Sequence, residues 1–473
     1  SAASDVYKRQ VDNMSEYSSY DHFNSEVSDK IKNLAKMAES STIIAPEYYK
    51  QFDVKRGLRD ENGVGVCAGL TEISEIHGYT TDYDGNKIPC KGELYYRGIE
   101  IKELVGGITS EGRFGFEEVA YLLLFGKLPD KDELKSFKRI LRGYRTLPDS
   151  FVRDVIMKAP SKDMMNGIAR SILMLYSYDK HADDNSIDNV LRQCLQLISE
   201  MPMISVYSYH AHRHFHCNDS LIIHKPLTRG SIAENILHLL RPDGQYTELE
   251  AKVLDVCLML HAEHGGGNNS SFTMHVVSST GTDTYSAVAA SLGSLKGPRH
   301  GGANIKVVNM IDDMQKNISK FDDKHIESYL NKILEKKAFD NAGLIYGMGH
   351  AVYSLSDPRV DVLRTFVKKL ADEQGFEKEF EIYEAVERIA PKVIANSRNI
   401  QKGVAPNIDF YTGFIYSMLG LPKELFTPIF AVSRIVGWSA HRIEELSNRG
   451  KIIRPGYESV CKRDVYRPMD KRK

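Results

Sequence analysis

A mainly α-helical chain with a small β region near its N-terminus is the fold class this sequence predicts. Three observations predict it. Apolar residues recur at helical spacings through most segments beyond residue 100. Val, Thr, Ile and Tyr runs punctuated by Gly are confined to Val64–Gly98. Helix start signals, including a capping box, recur along the rest.

Residues 1–56 form a polar N-terminal extension rich in Ser, Asp, Asn and Lys. Its opening stretch Ser1–Gln10 reads as a foreign tail, with Met14 available as a start. Val27, Ile31, Leu34 and Met37 predict one amphipathic helix over Ser25–Ser40. Next, Asp84-Gly85 between Tyr79–Tyr83 and Lys87–Pro89 predicts a hairpin turn. Phe116–Phe125 is a helical apolar block, and Lys127-Leu128-Pro129-Asp130 stops it and caps Lys131–Arg142. Thr247-Glu248-Leu249-Glu250 is a capping box that opens a helix over Leu249–Glu263, with Leu254, Cys257, His261 and His264 on one face. Helical patterns continue over Ala287–Leu295, Ala303–Gln315, His325–Lys336, Val360–Gln374, Glu377–Ile389, Thr412–Leu419 and Lys423–Ser447.

The 62 basic and 63 acidic residues leave a formal charge of −1, which argues against a nucleic-acid binder. No run approaches the roughly 18 apolar residues of a membrane span. Six scattered cysteines with no Cys-x-x-Cys pair suit neither a disulfide framework nor a zinc finger. With no apolar signal region at the start, the expected location is cytoplasmic.

Three segments pair histidine with glycines: His261–Asn268, Gly297–Asn304 and Gly347–Val352, the last followed by Asp357-Pro358-Arg359. Glycine beside a functional side chain lets backbone approach a ligand closely. In Asn407-Ile408-Asp409, either Asn407 or Asp409 suits an N-cap, while a carboxylate in an apolar setting can also be a tuned base. Arg434 lies within an otherwise apolar helix, where an unpaired charge is expensive, so it should face an anion. Together with Arg359 and Arg454 it suggests a di- or tricarboxylate ligand. His210, His212, His214 and His216 alternate, but an i, i+2 series spreads around a helix axis, and no metal site is expected there or at His261 and His264.

Taken together, the three His-Gly segments, the Asn-Ile-Asp segment and the late arginines resemble the citrate synthase family, from about Gly57 to Tyr457. Gly92–Ile99 and Phe116–Leu123 match as well. The resemblance implies a two-domain helical fold: a large domain over 57–300, a small domain over 301–420, and a return to the large domain with a C-terminal tail over 421–473. It implies an acyltransferase of the tricarboxylic acid cycle that joins acetyl-CoA to oxaloacetate and hydrolyses citryl-CoA. It gives His300 and Asp409 roles on acetyl-CoA and His350 a role on the oxaloacetate ketone. His264, Arg359 and Arg434 would hold oxaloacetate, with Arg454 reaching over from the other subunit of a homodimer. Gly347, Met348 and Gly349 would lie against coenzyme A. No metal and no permanently bound cofactor is implied, and no nucleic-acid or membrane partner. Arg299 stands where the family commonly has an apolar residue, and Gly265 where a carboxylate is common. The rival readings are 2-methylcitrate synthase with propionyl-CoA, a non-catalytic effector-binding paralogue, and a metal-dependent hydrolase.

Overall fold

The computed structural model describes residues 27–60, 64–83, 87–350, 352–398, 403–448 and 450–472. The Asp84-Gly85 turn and the stretch Ser1–Gln10 lie outside them. The chain forms two compact units, one of residues up to Val66 together with Pro455 onward, the other Cys67–Arg454.

In the first unit α1 spans Asp29–Thr42 and α2 spans Pro46–Gln51. Ser28 accepts the Ile31 N–H and so starts α1 later than the expected Ser25. The apolar stripe is present, but Val27, Ile31, Leu34 and Met37 are all exposed.

The second unit opens with a three-stranded antiparallel sheet: β1 (Ser74–Thr81), β2 (Lys87–Tyr96) and β3 (Ile99–Glu100), in that order. β1 and β2 pair with Ser74 opposite Tyr96 and a register shift between His77 and Tyr79. Helices follow: α3 (Ile101–Ser110), α4 (Phe116–Phe125), α5 (Lys131–Gly143), α6 (Met164–Leu175) and α7 (Ile187–Cys217). Then come α8 (Ile232–Leu240), α9 (Glu248–His261), α10 (Asn269–Ser278) and α11 (Thr284–Lys296). The series ends with α12 (Ala303–Asn317), α13 (Asp323–Leu334), α14 (Pro358–Gln374), α15 (Glu377–Arg398), α16 (Asp409–Met418) and α17 (Phe426–Ser447). No helix of the described residues is long and apolar enough to cross a membrane.

One apolar cluster runs from Ile73 to Ala440. Two helices thread its centre. α17 is buried at every residue from Phe426 to Arg442, and α9 at every residue from Val253 to His261. Each buried Leu, Ile or Phe there contributes about 1.5–3 kcal/mol. Tyr96 ties the sheet to the end of α9 by donating its hydroxyl proton to the Glu263 carbonyl at 2.9 Å.

The capping box at Thr247 forms as expected, yet α9 stops at His261. His264 therefore lies on the loop beyond it, not on the helical face shared by Leu254 and Cys257. Gly265, at φ +82°, and the Glu263 amide bonded to Tyr96 turn the backbone away from the axis. The 31-residue α7 has no counterpart among the expected helices. It is buried on nearly all sides around Pro202, so its sequence lacks the polar stripe that marks a surface helix.

Candidate active site

Residues at the end of α9, the starts of α14 and α16 and the interior of α17 converge with the loops that follow α9 and precede α12 and α14. His264 and His350 stand edge to face with ring centres 5.1 Å apart, and Tyr353 stacks on His350 at 4.7 Å. Backbone N–H groups of Val352 and Tyr353 donate to His350 Nδ1 at 3.0 and 3.2 Å. A nitrogen that accepts twice carries no proton, so the ring proton sits on Nε2. His350 is thereby set as a donor at Nε2.

Phe430 gathers the next group. Its ring meets His261 at 4.8 Å and His300 at 6.3 Å, and the Arg434 guanidinium lies 4.8 Å from its centre. Arg434 donates Nε to the His261 carbonyl at 2.7 Å, while its Nη1 is buried with no hydrogen-bond partner among the described residues. Among the described residues His264 Nε2 is buried and unpartnered too. A buried charged donor left bare costs several kcal/mol, so such groups fit a site that an anion completes.

Arg359 is buried at the start of α14, where Asp357 serves as N-cap. Asp357 holds it by two parallel bonds, Nε to Oδ1 at 2.9 Å and Nη2 to Oδ2 at 2.7 Å. Burial opposes the charge, but Asp357 outweighs it and pushes the guanidinium pKa up.

Burial and the two arginines lower the neighbouring histidines. His264 falls well below the usual imidazole range through burial and then Arg359. His261 falls to about 3, and His300 to about 4 through burial and then Arg434. All three are neutral at pH 7. Asp409 moves the other way: burial raises it to about 6, against the pull of Arg359. It is not the N-cap of α16. Asn407 Oδ1 accepts the Asp409 N–H at 3.1 Å, and no hydrogen bond from a described residue reaches the Asp409 carboxylate.

Ser270 sits beside His300, with Oγ 3.2 Å from Nε2. The same hydroxyl accepts Trp438 Nε1–H at 3.1 Å and lies 3.0 Å from Asn268 Oδ1. Its single proton can go to only one acceptor. It is given to Asn268 Oδ1, which only accepts, so Ser270 Oγ meets His300 Nε2 as an acceptor.

Gly347–Gly349 lines up against Ala405–Asn407: Gly349 N–H donates to Ala405 at 2.8 Å and Asn407 N–H to Gly347 at 2.9 Å. Gly347 has φ +78°, and a Cβ on it would stand 2.7 Å from Val307 and 2.8 Å from Phe410, so only glycine fits.

Arg454 is the predicted residue the fold does not bring to this group. It is exposed, and no described residue pairs with it. Arg299 is exposed as well. The alternating histidines point to separate backbone carbonyls, His210 to Leu239, His214 to Asp219 and His216 to Pro160. The residues that sequence reasoning passed over are Phe430, Tyr353 and Ser270. Phe430 lies four residues before Arg434, one helical turn away, and that spacing was the available signal.

A family model for the citrate synthase C-terminal domain matches residues 62–456. A citrate synthase of Synechocystis is 34% identical over 417 residues, covering 87% of this chain and 94% of that protein. A 2-methylcitrate synthase of Shewanella oneidensis is 34% identical over 371 residues, covering 78% and 88%. A solved ternary complex of carboxymethyl coenzyme A and oxaloacetate with citrate synthase from Thermoplasma acidophilum matches with TM-score 0.70 at 26% identity, covering 89% of this chain and 99% of that one.

Proposed function

This chain belongs to the citrate synthase family, and from that premise we propose how its residues divide the reaction. It is an acyltransferase that joins the acetyl group of acetyl-CoA to oxaloacetate and hydrolyses citryl-CoA to citrate and CoA. The observation that carries the division of roles is Asp409, a carboxyl raised to about 6 and free of hydrogen bonds from described residues. It faces the charges of Arg359 and Arg434 in a site where His264 and His300 are neutral.

Asp409 takes a proton from the acetyl methyl group. His300 donates a hydrogen bond to the thioester oxygen and stabilises the enolate as it forms. One preorganised donor of this kind is worth roughly 3–4 kcal/mol. His350 Nε2–H polarises the oxaloacetate ketone and supplies the proton as the carbon–carbon bond closes. His264 and Arg434 offer their unpartnered nitrogens to oxaloacetate, and Arg359, held square by Asp357, supplies a second cation. Gly347, Met348 and Gly349 bring backbone close to coenzyme A. Water then cleaves the thioester. None of these steps draws on a metal or a bound cofactor. The working unit is a homodimer, with Arg454 supplied by the partner, and the small domain is 301–420.

The equal identity to a 2-methylcitrate synthase favours one second reading, propionyl-CoA as the acyl donor. One methylene changes transition-state binding by only about 1–3 kcal/mol. Thiol release from acetyl-CoA and from propionyl-CoA, each with and without oxaloacetate, separates the two. Oxaloacetate-dependent release that is faster with acetyl-CoA is expected, and a propionyl-CoA preference would replace this reading with the second.

A further inference from the structure

Apart from the groups assigned to the reaction, α10 and α17 bring together His275, His441 and Glu444. One ligand-type atom from each lies within 4.8 Å of the others. His441 Nδ1 is 3.0 Å from His275 Nε2 and 3.7 Å from Glu444 Oε2. A carboxylate stands behind each ring. Glu263 Oε1 faces His441 Nε2 at 3.1 Å, and Glu445 Oε2 faces His275 Nδ1 at 2.8 Å.

A carboxylate behind an imidazole keeps the ring proton on its own side and turns the other lone pair outward. With the ring protons on the Glu263 and Glu445 sides, both remaining lone pairs turn toward each other. Without a cation between them, a proton on one of the two facing nitrogens must bridge the 3.0 Å between the rings. Glu444 Oε2 is buried beside them with no hydrogen-bond partner among the described residues. Its sister oxygen is spent on the Glu72 N–H at 2.8 Å. His441 and Glu444 are three residues apart on α17, hence on one face.

We infer that this cluster binds one divalent cation of the zinc class, through His275 Nε2, His441 Nδ1 and Glu444 Oε2, with a fourth position open to water. Two imidazoles, each backed by a carboxylate, plus one carboxylate suit a borderline-soft ion, not calcium or magnesium, which take oxygen ligands. Ligands about 2.0–2.1 Å from a tetrahedral zinc stand about 3.3 Å apart. The two nitrogens need only part slightly and the Glu444 carboxylate swing inward.

The ion would staple α10 to α17 directly behind the His264 loop. A Cβ on Gly266 would lie 3.4 Å from the His441 ring and 3.6 Å from His275 Nε2, so that loop backbone rests on both histidines. The role is structural: the cation touches no reacting group assigned above. This departs from the expectation of a chain with no metal. The two histidines are 166 residues apart, and spacing along the sequence cannot reveal such a pair.

The test uses the full chain, stripped with chelator, desalted, and titrated with Zn²⁺ and with Co²⁺. The expected result is one cation per chain, a tetrahedral-type cobalt absorption, and a melting temperature that rises with zinc. His275→Ala and Glu444→Gln should each weaken binding at least about tenfold and abolish the thermal shift. Far-UV circular dichroism and citrate formation establish that both variants are folded, and Glu444→Gln keeps the shape should His275→Ala fail. Wild-type protein that retains no more zinc than His275→Ala would overturn the site and leave a proton shared between two histidines. Variants that bind as tightly as wild type would place the metal elsewhere, and that also overturns it.

Discussion

Asn407 and Gly349 are joined by a side-chain bond, Nδ2 to the carbonyl oxygen at 2.9 Å. The same carboxamide accepts the Asp409 N–H on Oδ1 at 3.1 Å. One side chain thus fixes the glycine segment, assigned to coenzyme A, against the residue assigned as base. A misplacement of the base by about 1 Å can cost 100-fold in rate, which is why such a tie matters.

Asn407→Ala removes both bonds. It should cost about 1 kcal/mol as a lost cap, raise KM for acetyl-CoA and lower kcat, with little change in KM for oxaloacetate. Asn407→Asp keeps the acceptor for Asp409 but loses the donor to Gly349, so it should recover the stability and not the acetyl-CoA affinity. Steady-state kinetics with both variants check this. An unchanged acetyl-CoA KM in both would reduce Asn407 to a simple cap.

Asp409 titrates at about 6 in the fold, above its ordinary value of about 3.9. As a base it works only when ionised, so kcat/KM should fall about tenfold per pH unit below 6. His300, lowered to about 4, stays neutral across that limb and adds no second one there. Stability runs the other way. A carboxyl whose folded pKa is raised favours the fold below its unfolded pKa and loses that contribution as pH rises through 6. Acid should therefore remove activity through Asp409 without unfolding the chain through it. Asp409→Asn should lose at least about 100-fold in kcat and melt no lower than wild type at neutral pH, since its side chain caps nothing. Near-normal turnover in this variant would end its assignment as the base.

Helices with one buried face were legible in the sequence, and Phe116–Phe125 and the Thr247 capping box are where their patterns put them. What defeated the reading was burial on all sides, as in α7, and tertiary capture of a helix end. His264 would continue α9 by periodicity, but Tyr96, 167 residues earlier, takes the Glu263 amide and ends it. At the site, residues beside glycine carried a signal, because glycine marks close backbone approach. Phe430 and Ser270 did not, since an aromatic in an apolar helix and a serine near a cap have ordinary explanations. Arg434 was legible for a physical reason: a charge in an apolar helix demands a partner, and its Nη1 is buried without a hydrogen bond among the described residues.

That bare nitrogen gives a further prediction. If oxaloacetate completes Arg434, then Arg434→Leu loses a charge-assisted bond of about 1.5–3 kcal/mol, a KM increase for oxaloacetate of at least tenfold. The fold should lose some stability as well, since the substitution removes the bond to His261 and a charge that faces the buried Glu263 carboxylate. Oxaloacetate KM and melting temperature together decide it. A large thermal loss with unchanged KM would make Arg434 a structural residue.

The last prediction concerns Arg454, which is exposed and engages no described residue of its own chain. Ile453, next to it, is anchored through its N–H to Ser279 Oγ at 3.1 Å, so the arginine projects from a fixed point near the end of α10. A two-fold dimer would carry two sites, each taking Asp409 from one chain and Arg454 from the other. Asp409→Asn and Arg454→Ala should each be nearly inactive alone. In a mixed dimer of the two, a trans arrangement leaves one site with both lesions and the other with neither. Dissociating and reassociating the two proteins together should then restore activity, up to half the wild-type value per mixed dimer. If Arg454 serves its own chain, every site keeps one lesion and mixing restores nothing. Mixed dimers verified by differential tagging, yet inactive, would remove the shared site while leaving the assignment of Asp409 intact.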